Sequence, residues 1–129
     1  MTERQHISSG GPWEASAGYS RALVAGDACF VAGTTDAGPD GVSQHPDDVG
    51  AQAMAVFGII DRALSAGGFS LADVVRTRMY VTSAADIPTV SAAHGEVFRD
   101  IRPAATLVIV AGLMHRSLLV EIEAEARRV

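Results

Sequence analysis

Leu118-Leu119-Val120-Glu121-Ile122-Glu123-Ala124-Glu125 switches between apolar and acidic residues at every step from Val120 on. A β-strand turns successive side chains to opposite faces, so Leu118, Val120, Ile122 and Ala124 share one face and the three glutamates share the other. Residues 74–82 read the same way. Val75, Thr77, Met79 and Val81 point to one face; Arg76, Arg78 and Tyr80 point to the other. These strands predict a sheet with one apolar face and one charged face, and the apolar face needs helices to cover it.

Two helices are predicted. The first is capped by Asp47 or Asp48, carries Val49, Ala53, Val56, Ile60 and Leu64 at helical spacing, and stops at Gly67-Gly68. Ser70 and Asp73 form a brief capping turn after it. The second helix opens at Asp86, tolerates Pro88 in its first turn, and has a stripe of Ile87, Val90, His94, Val97 and Phe98 before Arg102-Pro103 ends it. Residues 19–24 and 28–32 are two short strands joined by Ala25-Gly26-Asp27. Residues 33–41 are loop, and residues 1–18 an extended lead-in. Residues 105–111 are almost wholly apolar, as in a strand buried on both faces. The order β-β-α-β-α-β-β predicts one α+β domain over residues 1–129, a mixed sheet with two helices on one face. The charged sheet face either meets solvent or meets other subunits with its arginines and glutamates paired; the apolar run at 105–111 favours the second.

Composition narrows the function classes. Apolar residues make up 48% of the 129 and the mean hydropathy is +0.21, a surplus that oligomerisation would cover. Net charge is −5, all ten basic residues are arginine, and they form no run, so a nucleic-acid partner is not expected. Cys29 is the single cysteine, which excludes an internal disulfide. The N-terminal residues lack a signal-peptide stretch, and no window approaches 18 uninterrupted apolar residues. A soluble, cytoplasmic protein with no membrane partner is expected. His6, His45, His94 and His115 are scattered, so no metal site is predicted.

Several boxes resemble the RidA/YjgF family. Gly18-Tyr19-Ser20-Arg21-Ala22 is similar to its GPYSQA box and Phe30-Val31-Ala32-Gly33 to its VSGQ segment. Residues 71–82 are close to its LxDVVKTTVYLTD strand, and residues 119–124 match its VEIEA ending. The resemblance spans residues 15–126. It implies a chorismate-mutase-like protomer, a homotrimer whose sheets form a central barrel, and small-molecule pockets at subunit interfaces. It further implies hydrolysis of reactive enamines and imines, such as 2-aminoacrylate, to ketoacids and ammonia, without a cofactor. By the same resemblance Tyr19 is the pocket tyrosine, Gly33 the glycine whose backbone approaches the ligand, and Glu121 the carboxylate that positions water; these make Glu121 and Tyr19 the candidate catalytic pair.

One departure is specific. Where the family has Pro-Ala-Arg, this chain reads Pro103-Ala104-Ala105, followed by Thr106 and Leu107. The family arginine grips the substrate carboxylate, and losing one partner of such a pair costs about 2–5 kcal/mol. Efficient 2-aminoacrylate hydrolysis is therefore not expected, and Ala105 and Leu107 make the corner apolar. The chain is similar to a divergent branch with His94-Gly95-Glu96-Val97-Phe98 and Arg102-Pro103-Ala104-Ala105-Thr106 in these places.

Other residues carry two readings each. Arg21 either supplies the missing charge or is a surface arginine. Arg78 either lines a pocket or forms a salt bridge, and Arg102 either binds substrate or satisfies helix-end carbonyls. His94 is either a core histidine or a general acid/base. With Gly33, Ala105 and Leu107 they form the candidate substrate-binding set. The functions in play are an imine- or enamine-directed hydrolase, a non-catalytic trimer that binds a small molecule, and a specialised biosynthetic enzyme on the same scaffold.

Overall fold

The computed structural model describes residues 3–129. In chain order they form β1 (Gln5–Ile7), α1 (Trp13–Ala17), β2 (Ala22–Ala25), β3 (Ala28–Thr34), α2 (Val49–Ala66), β4 (Val74–Val81), α3 (Ile87–Phe98), β5 (Ala104–Ile109) and β6 (Val120–Arg127). The six strands make one sheet in the order β1-β2-β3-β6-β4-β5. Every pairing is antiparallel except β4–β5, where α3 provides the crossover that parallel neighbours require. The fold is the mixed-sheet α+β arrangement expected from the sequence, with a third, short helix.

The alternation in β6 sorts as expected. Val120, Ile122, Ala124 and Ala126 are buried beneath α2 and α3, while Glu121, Glu123 and Glu125 stand half-buried on the opposite face. α2 presents Val56, Phe57, Ile60 and Leu64 to the core, and α3 adds Val90, Ala93 and Phe98. Asp48 caps α2 by accepting from the Ala51 N–H at 3.0 Å. Gly68, at φ 81°, turns the chain out of α2, a conformation that glycine adopts without steric cost.

Four local expectations change. First, β4 carries a bulge: Val74 pairs with Ala126 and Arg76 with Glu125, so Val75 is the extra residue. Val74 therefore takes the core position, and Val75 is 43% exposed on the outside. Second, β5 is an edge strand, not one covered on both faces. Among the described residues its only neighbour is β4, and Val108 and Ile109 are 42% and 54% exposed. An apolar run looks the same in sequence whether its own chain or another copy covers it. Third, α3 ends at Phe98, and Arg102 sits in a tight turn with φ 54° and its N–H on the Phe98 carbonyl at 2.9 Å.

Fourth, the stretch read as an extended lead-in holds β1 and α1. Glu14 organises it. Its buried carboxylate accepts from the Ser9 hydroxyl at 2.8 Å, the Ser9 N–H at 3.1 Å and the Gly11 N–H at 3.2 Å. Burial alone would raise the Glu14 pKa, but the hydroxyls of Ser9 and Ser8 and the N–H groups of Ser9 and Gly11 outweigh it and hold it below the ordinary carboxyl value. Gly18, left-handed at φ 77°, ends α1 and returns its N–H to the Glu14 carbonyl. The resulting hook sets the direction of the next three residues.

Candidate functional site

Tyr19 leaves that hook with its N–H on the Glu14 carbonyl at 2.9 Å. Tyr19 and Arg21 both precede β2, so no strand alternation places them on one face. The two meet by folding: the Arg21 guanidinium carbon lies 5.7 Å from the Tyr19 ring centre. Arg21 Nη2 donates to the Gly33 carbonyl at 2.7 Å, its Nε is buried with no partner, and no carboxylate lies within 4.0 Å of it among the described residues. A half-buried guanidinium that no carboxylate contacts is a ready anion site.

Gly33 stands where the β3–β6 register shifts, between Val31 and Thr34. A Cβ there would overlap Glu121 Oε2 and lie 3.1 Å from its Cδ. Glycine lets that carboxyl group keep its present position. Burial raises the Glu121 pKa, Arg21 pulls it partly back, and Glu123 raises it again. The net direction is upward, so Glu121 keeps its proton to a higher pH than an exposed glutamate and suits acid/base work.

Tyr19, Arg21, Gly33 and Glu121 line one cleft of about 1280 Å³. Glu121 and Gly33 also border a smaller hollow of about 260 Å³, beside Tyr80 and Glu123. The cleft wall opposite the hook includes Asp36, whose buried Oδ2 accepts from Ser43 Oγ at 2.8 Å and lies 3.0 Å from His45 Nδ1. Gln52 ties this loop to the start of β6 through the His45 and Ser117 carbonyls and the Leu119 N–H. Among the described residues no cluster of three or more His, Cys, Asp or Glu is placed to hold a metal ion.

The other residues singled out from the sequence lie outside this cleft in the protomer. Arg78 is on the open sheet face, 3.2 Å from Glu125 and 3.9 Å from Glu123. Beside it the Tyr80 hydroxyl donates to Glu123. His94 Nε2 lies 2.8 Å from the buried Thr77 hydroxyl, between the Phe57 and Phe98 rings, and burial lowers its pKa. Arg102 is exposed in the turn after α3. Ala105 and Leu107 pair with Thr77 and Met79, which puts them on the helix side of β5. Leu107 packs against the core there.

What sequence reasoning missed is the second wall. Met54, Ala55, Gly58, Ile59 and Arg62 form an outer stripe of α2 that faces the cleft. The signal was present, since α2 is apolar enough to cross a membrane by length and composition.

A bulged mixed sheet under two helices, with a glycine-gated glutamate beside a free arginine, defines an α+β protein of the chorismate-mutase-like class. The family model described as Endoribonuclease L-PSP matches residues 12–128. A crystal structure from Mycobacterium tuberculosis, of a member of the YjgF/YER057c/UK114 family, superposes with a TM-score of 0.88; it is 42% identical and covers 98% of this chain and 100% of that one. An uncharacterised protein of Streptomyces coelicolor is 37% identical over 96% of this chain and 92% of its own length. A RutC family protein of Pyrococcus horikoshii is 32% identical over 84% of this chain and 85% of its own. The chain belongs to the YjgF/RidA family.

Proposed function

We propose that the protein is a Rid-type hydrolase for a carboxylate-bearing imine or enamine, with Arg21 taking the role that Ala105 cannot fill. The observation that carries this reading is the unpaired Arg21 guanidinium beside a Glu121 whose pKa is raised, both in one cleft. Arg21 holds the substrate carboxylate, and the Tyr19 ring lies against the Arg21 guanidinium. Glu121 protonates the imine nitrogen; its carboxylate then takes a proton from the water that bonds to the imine carbon. The carbinolamine loses ammonia as Glu121 protonates the nitrogen, and the hydroxyl proton returns to Glu121. One water is consumed, one ammonia and one carbonyl compound form, and no oxidant is needed.

The reading extends to a homotrimer in which Arg78, Arg102, Ala105 and Leu107 act from an adjoining copy. The apolar exposure of β5 supports it. An RNA substrate is disfavoured by the cleft's own charges: Glu14, Asp36, Asp40 and Glu121 outnumber Arg21 and Arg62.

The test generates 2-imino acids in place with an amino-acid oxidase and follows oxo-acid release. Wild type should exceed the buffer rate, and Glu121→Gln should lower the enzymatic rate about 10²- to 10⁴-fold. A wild-type rate equal to buffer for every imino acid would overturn the hydrolase reading and leave the family scaffold as a binder.

A further inference from the structure

Residues 8–21 connect Ile7 to Ala22, and those two residues face each other across the β1–β2 ladder. Both ends of the connection therefore leave the sheet side by side, the geometry of a flap. Among the described residues, every hydrogen bond formed by residues 9–19 ends within residues 8–19. Glu14 collects the Ser9 and Gly11 donors, and the Gly10 N–H donates to Ser8 Oγ at 3.0 Å. The Gly18 and Tyr19 N–H groups both donate to the Glu14 carbonyl, at 3.0 and 2.9 Å. Glu14 is also the buried residue of α1, and its partners travel with it. The hook is thus free to swing away from the body without breaking a hydrogen bond.

Its stems are held and its tip is not. At the stems, His6 Nδ1 lies 2.9 Å from Ser20 Oγ, and Arg21 donates to the Gly33 carbonyl. At the tip, the hook meets the body through Trp13, whose ring carbons Cη2 and Cζ2 lie 3.3 and 3.6 Å from where a Cβ would stand on Gly41. Gly41, at φ 82°, closes a turn with its N–H on the Gly38 carbonyl at 2.9 Å. The hook and this turn both line the cleft that holds Arg21 and Glu121, so Trp13 on Gly41 joins two of its walls. Trp13 remains 47% exposed, and a segment with so little buried apolar surface opens more readily than the core.

We infer that residues 9–18 are a lid that swings as one body on its two stems, latched by Trp13 against the Gly41 turn, and that its opening governs access to Arg21 and Glu121. The lid regulates the site proposed above and rests on that reading for its purpose. Its test needs no turnover, so failure of hydrolysis and failure of the lid are separate results.

Trp13 is the only tryptophan in the chain, and Cys29 is fully buried, so an oxazine dye that tryptophan quenches on contact goes to one introduced thiol, Gln44→Cys, on the exposed loop beyond the turn. Fluorescence correlation of the labelled chain should show quenching that comes and goes on the nanosecond-to-microsecond scale of loop motion. Trp13→Phe, whose ring lacks the carbons that reach Gly41, should let phenylglyoxal modify Arg21 severalfold faster relative to Arg99, an exposed arginine outside the cleft. In the same variant the Gly18 and Tyr19 amides should keep their wild-type protection from hydrogen exchange.

Constant quenching, or none, would overturn the swinging lid. An Arg21 modification rate unchanged by Trp13→Phe would overturn the latch. Faster exchange at Gly18 and Tyr19 in the variant would mean that the hook unravels, and would overturn its motion as one body.

Discussion

At Glu121 burial and the neighbouring Glu123 push the carboxyl pKa up, and Arg21 opposes them without winning. A raised folded-state value means that this group's contribution to stability is fully present below the ordinary carboxyl range near 4.5 and is lost as pH rises through the folded value. Glu121→Gln removes that loss. Urea midpoints at pH 5 and pH 7 should show the variant gaining on wild type as pH rises; a constant difference would mean that the carboxyl is not perturbed. His94 has the opposite sign. Burial depresses its pKa, so the folded state resists protonation, and stability falls as pH drops from about 6.5 through the folded value. His94→Gln should flatten that fall while keeping a partner for Thr77. Gly33→Ala tests the close approach directly. Its Cβ would overlap Glu121 Oε2, the mobile end of a side chain, so the carboxyl must swing aside at little cost in stability, and oxo-acid binding should fall. Calorimetry of both properties checks this.

Among the elements, the hook formed by α1 depends on one tertiary contact. Glu14 gathers the Ser9 and Gly11 donors, and Trp13 and Tyr19 are aimed by the turn that results. Glu14→Ala should accelerate hydrogen exchange at the amides of residues 9–19 well above the rest of the chain, and weaken ligand binding with it. Uniform exchange in the variant would show that the hook holds without its carboxylate. This also explains what could be read from sequence. α2, α3, β3 and β6 declare themselves by period and by caps at Asp48 and Gly68, because burial against the sheet imposes that period. The Ser- and Gly-rich lead-in has no period; a buried glutamate shapes it, and that contact is invisible along the chain. The Val75 bulge fails for a related reason, since strict alternation cannot reveal an inserted residue until the partner strand fixes the register. Tyr19 and Arg21 meet through the turn that leaves the hook, a contact that no strand alternation announces. The α2 outer stripe was legible as surplus hydropathy but had no assigned purpose.

For the whole molecule, the open sheet face and the β5 edge pose one problem. β5 ends the sheet with unpaired backbone groups on one side and with Val108 and Ile109 exposed, and it carries neither the lysine nor the proline that usually protects such an edge. A chain with this edge left open would aggregate; covering it with further copies of itself removes the hazard. Val108 pairs with Tyr80 and so stands on the same face as Arg78, Glu121 and Glu123. A self-association through this face thus covers apolar β5 side chains and brings arginines and glutamates of different copies near one another. Sedimentation equilibrium at micromolar concentration should give three times the protomer mass. Val108→Glu adds a carboxylate to the face that already holds Glu121, Glu123 and Glu125, and an added buried like charge opposes association. The variant should sediment as a protomer with its far-ultraviolet circular dichroism unchanged. If wild type is itself a protomer, the edge is managed within one chain, and Arg78, Arg102, Ala105 and Leu107 have no route to the cleft. The Arg21–Glu121 site would then have to function with the residues of a single copy.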